Sequence, residues 1–193
     1  MGSKSSGTTL RRRPSRRSFR RRRRRAEFPP PAVRPSRELA PRVSPKRVRV
    51  RIVAVGTRMP EWVTSAYEEY TRRLRSALRI ELEELPVGKH KLDEEKRLLA
   101  RIGDDYLIAL DEHGKSLTTV ALAKWLGSRQ QDGRDLTFVI GGPDGLGPEI
   151  LKAAALRWSL SELTFPHAMV RVILAEQLYR AHSVLQNHPY HRE

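Results

Sequence analysis

LTFVIGGPDGLGP, Leu136–Pro148, is a run of five almost wholly apolar residues passing straight into a glycine-rich bend. A run this short, without alternation, reads as a strand covered on both faces, the kind used in parallel sheets. In open α/β sheets, ligands are held where the chain leaves the carboxyl end of such a strand. Glycines there permit positive φ and close approach of the backbone. The bend has no Gly-Lys-Ser/Thr ending, so it is not a P-loop, and its spacing is not Gly-x-Gly-x-x-Gly. Taken alone, it serves a structural turn before a helix over Pro148–Ala155 as well as it serves a cofactor.

Upstream, Val48–Val55 alternates Arg with apolar residues and then becomes wholly apolar, which predicts a strand entering a buried sheet and ending at Gly56. Pro60 suits a first helical turn, and Trp62, Ala66, Tyr70 and Leu74 recur at spacings of four, so Pro60–Ala77 is expected to be an amphipathic helix on that face. Ile80–Leu85 alternates again and stops at Pro86. Asp93–Arg101 reads as a short helix. Tyr106–Asp111 reads as a strand closed by a polar turn, Glu112–Lys115, with Ser116 capping a helix to about Gln131 and Asp132-Gly133 as its exit. This alternation of strands and helices predicts an α/β domain with a mainly parallel sheet and helices on both faces.

Downstream, Trp158–Pro166 (WSLSELTFP) is an irregular last strand, interrupted by Ser159, Ser161 and Thr164, whose hydroxyls and backbone are expected to be free to bond a heterocycle. A helix over about His167–Gln186 carries Val170, Leu174, Leu178, Ala181 and Leu185 as one apolar seam, either core or the docking face of a partner helix. Glu176 and Arg180 stand four apart on it and are expected to form a surface ion pair of small energetic weight. The chain ends Asn187-His188-Pro189-Tyr190-His191-Arg192-Glu193. That mixture of imidazoles, phenol and guanidinium is either a solvated end or a surface for stacking on a base and donating to phosphate.

Charge divides the 193 residues in two. Residues 1–47 hold 17 Lys/Arg and two acids, a balance of 17 − 2 = +15, while residues 48–193 hold 21 and 20, a balance of +1. With Arg20–Arg25 unbroken and Pro29–Pro31, Pro35, Pro41 and Pro45 following, residues 1–47 are expected to be a disordered extension to a domain over 48–193. The block is a phosphate-binding arm, an address, or a segment with no fixed role. It lacks the apolar core of a secretory signal, though its Arg/Ser composition fits an organellar transit peptide. Cysteine is absent, which excludes disulfides and thiolate chemistry, and no run is long enough for a membrane helix. His182, His188 and His191 are too scattered for a metal site.

Taken together, GGPDGLGPE (Gly141–Glu149), WSLSELTFPHAMVRVILAEQLYRAHSV (Trp158–Val184), NHPYHRE (Asn187–Glu193) and the opening VAVGTRMPEWV (Val53–Val63) resemble the ribosomal RNA large subunit methyltransferase H family of the SPOUT class of knotted methyltransferases. The resemblance covers Val48–Glu193. It implies an α/β domain with a C-terminal trefoil knot, acting as a cytoplasmic homodimer. The implied reaction is methylation at N3 of a pseudouridine in 23S ribosomal RNA, with S-adenosylmethionine as donor and the ribosome as partner. The implied donor-binding residues are Leu110, Gly142, Ser161, Glu162, Leu163, Thr164, Phe165 and Pro166. Arg180, Tyr190, His191 and Arg192 match the family's RNA-side and catalytic positions. No metal or membrane is implied. The segment between Pro86 and Tyr106 is shorter than is usual in the family, and Glu162 stands where a small residue is common. A ribosome-binding factor that keeps this fold without chemistry is the competing reading. An intact glycine loop and terminus weigh against it.

Overall fold

The computed structural model describes residues 48–191, so the readings of residues 1–47 and of Arg192 fall outside it. The chain runs β1 (Arg49–Val55), α1 (Glu61–Leu74), β2 (Arg79–Leu85), α2 (Lys91–Ile102), β3 (Tyr106–Ser116), α3 (Thr119–Asp132), β4 (Leu136–Ile140), α4 (Pro148–Ala153), β5 (Leu156–Ser159) and α5 (His167–Leu185). A 3-10 turn, Pro189–His191, follows. All five strands pair in parallel in the order β2-β1-β4-β3-β5. This is the expected α/β architecture. No helix among the described residues is long and apolar enough to cross a membrane.

β4 is central and every residue of it is buried. Leu136, Phe138 and Ile140 enter a core shared with Tyr67 and Leu74 of α1, Leu122 and Leu126 of α3, and Leu174 and Leu178 of α5. Val139 enters a second core on the opposite face with Leu98 and Ile102 of α2 and Ile150 of α4. Two covered faces account for the lack of alternation in β4. The arginines that alternate in β1 are tied down: Arg51 pairs with Glu83 at 3.3 Å and Asp105 at 3.5 Å, and Arg49 with Asp135 at 3.4 Å.

Three local expectations are corrected and one open alternative is decided. The face of α1 is rotated by one residue: Val63, Tyr67 and Leu74 are buried with Tyr70 packed against them, while Trp62 is 52% exposed. Three spacings of four advance the helix by about 1,200°, ending roughly 120° off the starting face, whereas 63, 67, 70 and 74 stay within about 40° of one line. β3 does not stop at Asp111. It continues to Ser116 with a register shift, Leu110 and Lys115 both pairing with Trp158, because Gly114 lets the two backbones meet. Ser116 is therefore still strand, and the cap of α3 is Thr118, whose side chain accepts from the Ala121 N–H at 3.2 Å. Of the two readings of the α5 seam, core is the one observed: Leu174, Leu178 and Ala181 are fully buried between α1 and α3, so the seam is not a docking face for a partner helix.

Candidate functional site

The carboxyl ends of β3 and β4 open into a cleft of about 630 Å³. Its floor is the glycine loop, where Gly145 takes φ +74° and its N–H bonds the Gly142 carbonyl at 3.0 Å, a turn that a side chain at 145 would strain. One wall is the end of β3, Leu110, continued by Asp111 and Glu112 on the irregular part of that strand. The other is the segment Trp158–Pro166 with His167 and Val170 from the first turn of α5. Thus Leu110, Gly142, Ser161, Leu163, Thr164, Phe165 and Pro166 line one cleft, while Glu162 is exposed and is not part of its lining. Asp111, Glu112 and His167 were missed because an acid ending a strand, an acid opening a turn and a histidine opening a helix give no local sign of facing a cleft.

The hydroxyls expected to be free are committed to shaping this wall. Ser159 Oγ donates to the Ser161 carbonyl at 2.7 Å, Ser161 Oγ accepts from the Leu163 N–H at 2.9 Å, and Thr164 donates to Glu112 at 2.7 Å. Loops without a sheet partner satisfy their polar groups in this way, and what remains for a ligand is mainly backbone. Trp158 Nε1 is buried on the same wall with no hydrogen-bond partner among the described residues. The ionisable side chains of the wall are Asp111, Glu112, Asp144 and His167, so it is acidic. Asp111 is held by Arg157 at 2.6 Å. An orphan donor, exposed backbone and an acidic rim suit a ligand that is part planar heterocycle and part cation.

A second cluster lies further along α5. Asn187 ends the helix with φ 53°, a conformation asparagine tolerates, and Pro189 prevents its continuation. The chain turns back and Tyr190 packs on Tyr179, ring centroids 4.6 Å apart. Tyr190 donates to Glu176 Oε1 at 3.2 Å, Arg180 Nε donates to the same oxygen at 2.8 Å, and the Arg180 guanidinium sits 5.0 Å over the Tyr190 ring. Arg73 of α1 covers Tyr179 at 5.5 Å, a neighbour the sequence did not disclose. Burial first, then the Tyr70 hydrogen bond and the Glu176 charge, raises the Tyr190 phenol above its ordinary value, so it stays protonated. The Glu176–Arg180 pair is 16% and 24% exposed, not the solvated pair its spacing suggested, because the terminus folds over it. His191 belongs to the same turn. Arg180 is ten residues beyond Val170, about 15 Å along the axis, so the cluster does not reach the cleft of its own chain. Among the described residues no group of three or more His, Cys, Asp or Glu is placed to hold a metal.

Residues 48–191 match the family model described as predicted SPOUT methyltransferase. The chain is 51% identical over 154 residues to the ribosomal RNA large subunit methyltransferase H of Alkalilimnicola ehrlichii, covering 75% of this chain and 99% of that protein. It is 47% identical over 155 residues to the protein of the same name from Methylobacillus flagellatus, covering 76% and 100%. Among solved structures, a methylase-family protein from Neisseria gonorrhoeae superposes with a TM-score of 0.42 at 15% identity, covering 73% of this chain and 86% of that one.

Proposed function

Because the chain belongs to the ribosomal RNA large subunit methyltransferase H family of SPOUT methyltransferases, an S-adenosylmethionine-dependent enzyme of ribosomal RNA, we propose that it methylates N3 of a pseudouridine in the large subunit. The observation that carries this reading is the cleft, whose lining joins Leu110, Gly142, Ser161 and residues 163–166. The acidic rim suits a sulfonium and an ammonium, and the exposed backbone with Trp158 Nε1 suits an adenine. S-adenosylmethionine supplies an activated methyl group, and the protein's part is to orient the acceptor and exclude water.

N3 of a uracil-type ring becomes nucleophilic on losing its proton, which spreads charge onto the flanking carbonyls. Arg180 is the cation positioned for that charge, with Arg192 of the terminus as its companion. Tyr190 stays protonated and gives its single O–H to Glu176, so its ring backs the Arg180 guanidinium, and the N3 proton goes to solvent or to another group of the terminus. Since the cluster and the cleft lie about 15 Å apart along α5, we read the working site as shared: one copy supplies the cleft and a second copy its Arg180 and terminus. Exposed apolar side chains for such a contact exist in Leu163, Met169 and Trp62. A cytoplasmic location, with an organellar one as the alternative if residues 1–47 are a transit peptide, and the trefoil threading implied by the resemblance are part of the same reading.

The test is transfer of labelled methyl from S-adenosylmethionine to ribosomes and to naked large-subunit RNA, followed by mass-spectrometric mapping. A 3-methylpseudouridine in a large-subunit stem-loop is expected. A chain that binds donor and RNA yet transfers nothing, or methylates another base, overturns the reading.

A further inference from the structure

Nothing in the chemistry above uses α2, which lies across the sheet from α5. Its sequence, KLDEEKRLLARI, looks like a solvated charge run, yet Glu94 and Glu95 are 7% and 4% exposed. Both face the glycine loop. Glu95 Oε1 accepts from the backbone N–H groups of Glu149 at 2.7 Å and Ile150 at 3.2 Å, donors that the first turn of α4 leaves without a partner. Its carboxylate packs so closely on Gly147 that a Cβ there would overlap it. Glu94 Oε1 accepts from the Gly88 N–H at 2.8 Å, and its Oε2 lies 3.0 Å from where a Cβ on Gly142 would stand. Lys91 Nζ donates to the Asp144 carbonyl at 2.8 Å. The helix therefore grips the loop at its start, its tip and its exit, and below these contacts Leu98 shares a core with Leu146 and Ile150.

A carboxylate this buried is costly unless its oxygens are used. Here Glu95 spends Oε1 on the backbone by which the chain leaves the glycine loop, while Glu94 holds Gly88 ahead of α2 and packs its other oxygen against Gly142 on the cleft floor. We propose that Glu95, assisted by Glu94, is a positioning residue for donor binding: it touches no donor atom and sets the glycine loop that does. The inference rests on the reading of the cleft as the donor site.

Calorimetric titration of the full chain with S-adenosylmethionine, alongside titration with a large-subunit RNA stem-loop, tests it. Glu95→Ala is expected to weaken donor binding by about tenfold, the scale of one charge-assisted hydrogen bond, and to leave RNA affinity unchanged. Glu95→Gln keeps an acceptor toward both amides and recovers most of the affinity. Gly147→Ala displaces the carboxylate and reproduces the loss even if Glu95→Ala does not fold. Ile102→Ala hollows the last turn of the same helix and serves as a destabilised control with wild-type donor affinity. Wild-type donor affinity in Glu95→Ala or Gly147→Ala, or an equal loss in Ile102→Ala, overturns the inference alone. A wild-type chain that takes up no donor overturns the donor-site reading, and this inference with it.

Discussion

Arg171, in the second turn of α5, is 1% exposed, among the most buried side chains of the domain. It donates to the Val55 carbonyl at 3.0 Å and the Gly56 carbonyl at 2.6 Å and pairs with Glu84 of β2, so it ties the start of α5 to the ends of two strands. The desolvation of the guanidinium is offset by one carboxylate and two carbonyls, and removing it orphans all three. Arg171→Met is accordingly expected to cost about 3 kcal/mol in urea unfolding, the lower part of the range for breaking a buried pair, since Glu84 keeps some contact with water. In the sequence this arginine sits beside Val170 and Val172 and looks like an interruption of the seam, because partners contributed by β1 and β2 are invisible from α5.

His182 is half-buried, and burial lowers its imidazole below the ordinary value. Its Nδ1 has no hydrogen-bond partner among the described residues. The fold thus disfavours the proton that the unfolded chain accepts near pH 6.5. Stability from this site is complete above about pH 6.5 and is lost as pH falls toward the lowered value. The melting temperature of the wild type should therefore drop between pH 7.5 and 5.5, and His182→Gln should flatten that drop; parallel curves would remove His182 from the account.

At the scale of elements, unbroken apolar runs marked β4 and the end of β1, because a sheet covered on both faces imprints them, and alternation marked β2; the last strand, expected over Trp158–Pro166, lies instead over Leu156–Ser159, where pairing with β3 sets it. What periodicity misjudged was rotation and extent. α1 turned by one residue since helical phase accumulates along the chain, and β3 outran its polar turn since the strand end is set by pairing with β5. The moved cap of α3 is directly testable. Thr118→Ala is expected to cost about 1 kcal/mol, and Ser116→Ala close to nothing, as read from denaturant midpoints at constant slope. The reverse ranking would restore Ser116 as the cap. The extended β3 also delivers Glu112 to Thr164, so the misread turn is one wall of the cleft.

At the scale of the whole molecule, the cleft and the Arg180–Tyr190 cluster sit on different stretches of α5, and the shared site between two copies proposed above would join them. Mixing two variants tests this. Gly142→Val, which closes the glycine loop, and Tyr190→Ala, which strips the terminus, are each expected to be inactive as separate preparations. Co-refolded, they should regain activity in mixed dimers that hold one intact site. Continued inactivity of a mixture shown to contain mixed dimers would refute the shared site.

The sequence by itself determined the layering, the glycine loop at the end of β4 and the segments that resemble the family, since each is a local pattern of apolar runs, turn residues and motifs. Only the tertiary structure decided that Glu94 and Glu95 face inward, that Arg171 is core, and that Tyr190 rests on Glu176. The physical reason is the same in each case: the free energy that buries a charged or polar group comes from partners far away in the chain, which no local spacing records.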